Sequence, residues 1–369
     1  KQRDVLQRRD IDECLAGNLC RCTGYRPIVD AGLAMHELGR QRATHTRLSD
    51  LPGVSAAVDG QLHDALGRLE RVGGVRFAGN TLDATEALLD VPVALDAALA
   101  LLAREPAATV IAGGTDLGLG ITKSHRSFPH LLHVGRVREL QGVERTASAI
   151  RIGAAMPLED VYQSLRGIWP SLDRLWARFA SPPIRHAATL GGNIANGSPI
   201  GDSMPALMAL DTELELAASG ATRRVALCEF YTGYRRSQLR QGELIVALHV
   251  PAPRADQHYM VRKVAKRFDQ DISSVCVAFN ATVNDGVIEE LRLAFGGMAA
   301  TPGRAYGTEA ALRGARLTEA LDAVVRSGLE QDFEPISDFR ASATYRMQVA
   351  GNIVGHFLWQ LRTEQRSHD

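Results

Sequence analysis

Apolar residues recur along this chain with two different periods, and the switches between them outline its parts. Over residues 10–37 the spacing predicts two short helices on either side of a cysteine-bearing loop. Asp10 with Glu13 has the form of a capping box, and Gly17 is a helix stop. Pro27 suits the first turn of the second helix, which carries Ile28, Ala31 and Met35. From there to residue 75 no period is sustained, and Gly, Ser, Arg and Asp are frequent. Residues 41–75 are therefore expected to be a linker.

Beyond the linker, helical and alternating stretches mix. Pro92–Arg104 predicts a helix with Leu95, Leu99 and Leu102 on one face. Thr109–Ala112 reads as a short buried strand, and Leu131–Val134 and Ala149–Gly153 as further strands. Helices are expected near Pro157–Leu165 and Ser171–Phe179, and strands at Thr212–Ala217 and Glu243–Val250. Two glycine-rich segments interrupt the pattern: Gly113-Gly114-Thr115-Asp116-Leu117-Gly118 and Leu190-Gly191-Gly192-Asn193-Ile194, both read as loops. After Pro251, Ser273–Val283 and Val287–Phe295 flank Asn284-Asp285-Gly286, a strong hairpin signal. A long helix from about Asp338 to Arg362, capped by Ser337, closes the chain. The whole predicts an α+β multidomain chain, divided at 1–40, 41–75, 76–255 and 256–369.

Composition narrows the possibilities. The chain has 369 residues, 45% hydrophobic and 23% charged, which is ordinary for a globular protein. Lys+Arg and Asp+Glu are both 42, so no electrostatic footprint points to nucleic acid. No run of eighteen apolar residues points to a membrane span. Five scattered cysteines make no disulfide framework, which fits a reducing cytoplasm.

The chemistry begins at Cys20-Arg21-Cys22. Two thiols one residue apart cannot close a normal disulfide together, but both can face one soft metal centre. By itself the spacing is weak evidence, since a bare Cys-x-Cys is more often incidental. The surrounding Gly17-Asn18-Leu19-Cys20-Arg21-Cys22-Thr23-Gly24-Tyr25-Arg26-Pro27-Ile28 resembles the second [2Fe–2S] motif of the xanthine dehydrogenase and molybdenum hydroxylase family. That resemblance implies Cys20 and Cys22 as two cluster ligands, with an upstream Cys-x-x-Cys supplying the other two. None of Cys14, Cys228 and Cys276 forms such a pair, so the chain reads as starting inside an iron–sulfur domain. Cys14, in the preceding helix, reads as buried packing.

The glycine segments carry a second resemblance. Backbone freed of side-chain bulk can approach a pyrophosphate, and Thr115 adds a hydroxyl; a plain structural turn would look the same. Neither segment is the Gly-x-Gly-x-x-Gly fingerprint or a Walker loop. Taken together, Val110–Gly118 and Thr189–Asp202 resemble the FAD-binding segments of the same family's flavoprotein domain. The likeness runs through Tyr231–Arg235, Lys263–Ile272 and Ala294–Ala299.

That resemblance implies a remnant of a helical [2Fe–2S] domain over 1–40. It implies an FAD-binding domain of the vanillyl-alcohol-oxidase (PCMH) type over 76–255. A C-terminal α+β domain like that of CO dehydrogenase flavoprotein would cover 256–369. It further implies that Ile111, Ala112, Gly113, Gly114, Thr115, Asp116, Leu117 and Gly118 wrap the diphosphate and ribityl chain. Phe179 would lie against the isoalloxazine ring, while Thr189, Gly192, Asn193 and Ala195 hold the pyrophosphate and flavin edge. Asp202 would hydrogen-bond the FAD, with Ile245 and Lys263 on the far side. The family usually has glutamate where Asp116 stands.

Nothing here resembles a hydrolase triad or a His-Glu-x-x-His metal site, and His186 is the one histidine close to a glycine segment. Function is therefore expected to reside in cofactors. The resemblance implies an FAD and [2Fe–2S] chain of the bacterial two-chain xanthine dehydrogenase kind, with NAD as electron acceptor. The molybdenum cofactor would lie in a large partner subunit of an (αβ)2 heterotetramer. The alternatives are the flavoprotein subunit of another molybdenum hydroxylase, acting on an aldehyde or N-heteroaromatic compound, and a cofactor-less assembly module.

Overall fold

A computed structural model describes residues 7–18, 20, 22–41, 73–80, 86–268, 270–317 and 320–366. Two compact units divide at Val75/Arg76. Most of the linker expected over 41–75 lies outside the described residues.

In the first unit, helices Arg8–Leu15 and Tyr25–Gln41 bracket the cysteine loop. Ile11 and Val29 are buried, and a Cβ at Gly32 would come within 2.9 Å of Ile11, so the glycine lets the helices close on each other. The first helix starts earlier than the Asp10/Glu13 pattern suggests. Gln7 is its cap, and Asp10, three residues on, accepts from the Gln7 amide at 2.8 Å. Pro27 falls in the first turn of the second helix, where a missing amide costs nothing. Cys14 is exposed, not buried.

The second unit opens with a four-stranded sheet in the order Val75–Asn80, Glu86–Val91, His130–His133, Thr109–Ile111. His130–His133 runs parallel to Glu86–Val91 and Thr109–Ile111 on either side. Parallel neighbours need crossovers, and helices Leu95–Arg104 and Leu117–Ser124 supply them. Ala98, Leu99 and Leu102 of the first crossover helix bury against Leu132 and Val134.

A five-stranded antiparallel sheet follows, ordered Val143–Arg145, Ala149–Gly153, Leu244–Pro251, Glu213–Ala218, Ala221–Ala226. Its central strand is apolar along nearly its whole length because it is covered on both faces. Leu244 and Val246 join the core with Leu132; Ile245, Leu248 and Val250 join a larger one with helices Leu158–Leu165, Pro170–Ala177 and Ser203–Met208.

A third sheet, ordered Gln257–Val264, Val275–Asn284, Val287–Gly296, Gly303–Arg304, is antiparallel throughout. At its hairpin, Asp285 and Gly286 have φ of 47° and 72°, the two left-handed residues a tight hairpin turn requires. Phe279 and Phe295 pack with Val354, Phe357 and Leu361 of helix Ala343–Arg366. That helix begins five residues later than the pattern suggested. Ser342 caps it by accepting from the Tyr345 amide at 3.2 Å. Asp338 instead closes a turn, accepting from the amides of Arg340 and Ala341 and from the Arg346 guanidinium.

Candidate cofactor cleft and cysteine loop

The cleft begins where strand Thr109–Ile111 ends. The chain turns through Ala112–Asp116 and enters helix Leu117–Ser124. Gly114 has φ +69°, a conformation side chains disfavour. A Cβ on Gly113 would stand 1.8 Å from the Ala187 carbonyl oxygen, so this backbone lies directly on the neighbouring segment. The amides of Gly113, Gly114 and Thr115 donate to no protein acceptor among the described residues.

The opposite wall is the segment read from sequence as a second glycine loop. It is a short helix, Leu190–Asn196, with Thr189 as its cap. Thr189 Oγ1 accepts from the Gly192 amide at 3.1 Å. The Gly191 amide donates to the Ala154 carbonyl at 2.7 Å, and a Cβ on Gly191 would lie 2.6 Å from Ala154. Adjacent glycines look like a turn in sequence; here they let a helix end settle on the end of strand Ala149–Gly153.

These segments and the start of strand Leu244–Pro251 enclose a cleft of about 370 Å³. Ile111, Ala112, Gly113, Gly114, Thr115, Asp116 and Leu117 line it, with Thr189, Gly192, Asn193, Ala195 and Ile245. Twelve separate expectations thus converge on one cavity. Its character suits a large polar cofactor with flat apolar ends. Glycines 113, 114, 191 and 192 line the cleft together with Val134, Leu140, Leu239 and Leu244. The Asn193 side-chain oxygen is buried without a hydrogen-bond partner among the described residues, an acceptor open to a donor.

Four expected residues lie elsewhere. Gly118 is the second residue of helix Leu117–Ser124 and does not line the cleft. Asp202, Lys263 and Phe179 form a separate cluster. Lys263 Nζ donates to Asp202 Oδ2 at 2.7 Å, both side chains nearly fully buried. Ser273 Oγ donates to the other carboxylate oxygen. Lys263 Nζ also stands 6.0 Å from the Phe179 ring centre, within cation–π reach. Arg178 Nη1 donates to the Lys263 carbonyl at 2.6 Å. His186 is exposed and does not line the cleft.

The sequence reading missed Ala188, Gly191, Leu239 and Glu243 in the cleft wall. Glu243, two residues before Ile245, could have been found by strand alternation. It is buried and ion-paired bidentately with Arg223 at 2.7 and 2.8 Å. The Arg223 bond outweighs the cost of burial and holds its carboxyl below the usual range. Ala188 and Leu239 carry no sequence signal.

In the first unit, the Thr23 amide donates to Cys20 Sγ at 3.3 Å. This bond, with those from the Gly24 and Cys22 amides, lowers the Cys20 thiol pKa. Gly24, at φ +82°, makes the turn that brings its amide round. Cys22 is exposed on the same loop. The loop therefore carries two thiols, that of Cys20 with amide support, two of the four thiolates a [2Fe–2S] cluster takes. Among the described residues no group of three metal-ligating side chains is gathered.

Comparison with known proteins agrees with this geometry. Residues 87–253 match the model of the FAD binding domain in molybdopterin dehydrogenase, residues 261–361 the CO dehydrogenase flavoprotein C-terminal domain, and residues 1–33 a [2Fe-2S] binding domain. The xanthine dehydrogenase FAD-binding subunit of Escherichia coli O157:H7 is 33% identical, with 68% of this chain and 88% of that one covered. The chain belongs to the molybdenum hydroxylase family. As a molybdenum hydroxylase chain it is also 31% identical to Drosophila subobscura xanthine dehydrogenase over 79% of its own length, but it spans only 25% of that protein. Among solved structures, carbon monoxide dehydrogenase from Hydrogenophaga pseudoflava superposes with TM-score 0.68 and 26% identity over 73% of this chain and 94% of that one. The fold is accordingly the family's: a small [2Fe–2S]-binding part, an FAD-binding domain and an α+β C-terminal domain. No helix among the described residues is long and apolar enough to cross a membrane.

Proposed function

We propose that this chain is the iron–sulfur/FAD subunit of a xanthine dehydrogenase. In this reading it accepts electrons from a molybdenum-cofactor large subunit within a cytoplasmic (αβ)2 heterotetramer and delivers them to NAD. The observation that carries the flavin part is the cleft. Glycines 113, 114, 191 and 192 bring bare backbone to its surface, and Asn193 offers it an unpartnered buried oxygen.

When bound, FAD supplies the chemistry of taking electrons singly or in pairs and releasing a hydride. The chain's own residues bind and orient. In this reading the Gly113–Thr115 amides meet phosphate oxygens. Asn193 Oδ1 accepts from a cofactor hydroxyl or amine. Leu239, Leu244 and Ile245 exclude water from a flat ring. Phe179 and Lys263 are assigned to the isoalloxazine end, where the Asp202 carboxylate balances the lysine charge. Cys20 and Cys22 supply two of the four cluster thiolates.

The xanthine assignment rests on the names of the E. coli and Drosophila relatives; the carbon monoxide dehydrogenase likeness favours the broader reading of some other molybdenum hydroxylase. Two measurements test these readings. The native complex, assayed with xanthine, an aldehyde and nicotinate, should reduce NAD fastest with xanthine; no turnover of xanthine sinks that assignment. The visible spectrum should carry a flavin band at roughly 450 nm. Its absence would leave a cofactor-less assembly module instead.

A further inference from the structure

Arg185 is charged, long and almost fully buried, an arrangement that needs a reason. It lies on the short helix Pro182–Ala187, and its guanidinium makes three contacts in a fork. Nε donates to Glu159 Oε2 at 2.6 Å, on helix Leu158–Leu165. Nη1 donates to the carbonyls of Phe179 and Ala180 at 3.0 and 3.4 Å. Ala180 has φ +49°, a left-handed conformation that costs a non-glycine residue free energy and persists only where neighbours enforce it. Gln163 Nε2 donates to the other Glu159 oxygen at 2.9 Å and so holds the carboxylate in place.

The same helix reaches the cleft from its other end. Its last residue, Ala187, presents the carbonyl that lies against Gly113. Ala188 lines the cleft, and its carbonyl accepts from the Leu158 amide at 2.8 Å, beside Glu159. One buried side chain therefore ties the strained Phe179–Ala180 turn to the segment that sets the wall at Gly113.

We propose that Arg185, held by Glu159, is a positioning residue for FAD: it fixes the angle of Phe179 and the width of the cleft at Gly113 together. The inference rests on the reading that the cleft holds FAD with Phe179 at its isoalloxazine end. Lysine at 185 can pair with Glu159 but, as a point charge without the planar fork, cannot also hold both carbonyls.

The test uses the native complex with Arg185→Met, Arg185→Lys and Glu159→Gln. The readouts are FAD per chain, the FAD dissociation constant of the reconstituted protein, and the visible circular dichroism of the bound flavin. Far-UV dichroism and thermal unfolding monitor the fold. Arg185→Met should weaken FAD binding about tenfold and change the flavin dichroism. Arg185→Lys should recover part of the affinity while the dichroism stays altered, and Glu159→Gln should resemble it. If Arg185→Met does not fold, Arg185→Lys decides alone. Wild-type affinity and flavin dichroism in Arg185→Lys would overturn the proposal. So would equal loss in all three variants with flavin dichroism unchanged, since that marks a purely structural role. A wild-type complex without FAD would overturn the underlying reading instead, before any variant is compared.

Discussion

The carbonyl oxygen of Ala187 occupies the space where a side chain at residue 113 would begin: a Cβ on Gly113 would stand 1.8 Å from it. Backbone meets backbone there, and no rotamer change can relieve the overlap. Gly113→Ala should therefore push the two walls of the cleft apart. Overpacking of this kind costs about 1–3 kcal/mol. Thermal unfolding should show that loss, and FAD content after gel filtration should fall with it. A variant with full flavin and unchanged unfolding temperature would remove Gly113 from the cleft wall.

Asn193 separates binding from folding. Its side-chain oxygen is buried but bonded to nothing among the described residues. Asn193→Ala should leave the stability of the flavin-free chain unchanged or slightly higher, since an unsatisfied acceptor disappears. FAD affinity should drop by roughly five- to tenfold, the net worth of about one hydrogen bond. Isothermal titration of apoprotein with FAD checks the second effect, and denaturant unfolding of apoprotein the first. A marked loss of apoprotein stability would show that Asn193 Oδ1 has a protein partner.

The Lys263–Asp202 pair predicts a non-additive mutant cycle. Asp202→Asn strands an ammonium group that is otherwise nearly fully buried against its carboxylate. Breaking a buried pair from one side costs about 3–5 kcal/mol. Adding Lys263→Met should recover a large part of that, because no charge is then left unpaired. Urea unfolding of the four proteins measures it; additive effects would mean the two groups act independently.

Cys20 should behave as an acidic thiol. The Thr23, Gly24 and Cys22 amides favour its thiolate, and a lowered pKa moves thiolate formation to lower pH. In cluster-free protein, the alkylation rate of Cys20 followed by mass spectrometry should therefore reach half its maximum at lower pH than a free cysteine does. In the native complex, Cys22→Ser should abolish the paramagnetic resonance signal of the [2Fe–2S] cluster proposed for Cys20 and Cys22 and leave the FAD content intact. An unchanged signal would refute the ligand assignment.

Much of this was legible in the chain because it depends on neighbours in sequence. The Asp285-Gly286 turn needs two left-handed residues in succession, and those residue types announce it. The cysteine loop and its flanking helices fit within about thirty residues, and local capping and stop signals outline them. The Ile111–Leu117 stretch was readable only because, taken with Thr189–Asp202, it resembles the family's FAD-binding segments.

Other features became visible only when distant segments met. Leu190–Asn196 looks like a loop, since paired glycines weaken any helix in isolation. It is helical because Thr189 caps it and the Ala154 carbonyl accepts from Gly191 across the fold. The final helix starts at Ala343 because Asp338 is committed to Arg340, Ala341 and Arg346. Asp202 and Lys263, sixty-one residues apart, were separate expectations; their ion pair arises from Ser203–Met208 packing beside the third sheet.

The sequence by itself determined the local turns and helix stops, because glycine and proline act through their own covalent geometry, while the cofactor classes came from its resemblance to the molybdenum hydroxylase family. The tertiary structure alone decided that twelve of the expected residues share one cavity while Phe179, Asp202 and Lys263 stand apart with Arg178 and Ser273. It alone buried Arg185 between Glu159 and the Phe179–Ala180 turn. Burial and pairing depend on which surfaces exclude water together, and no single segment carries that information.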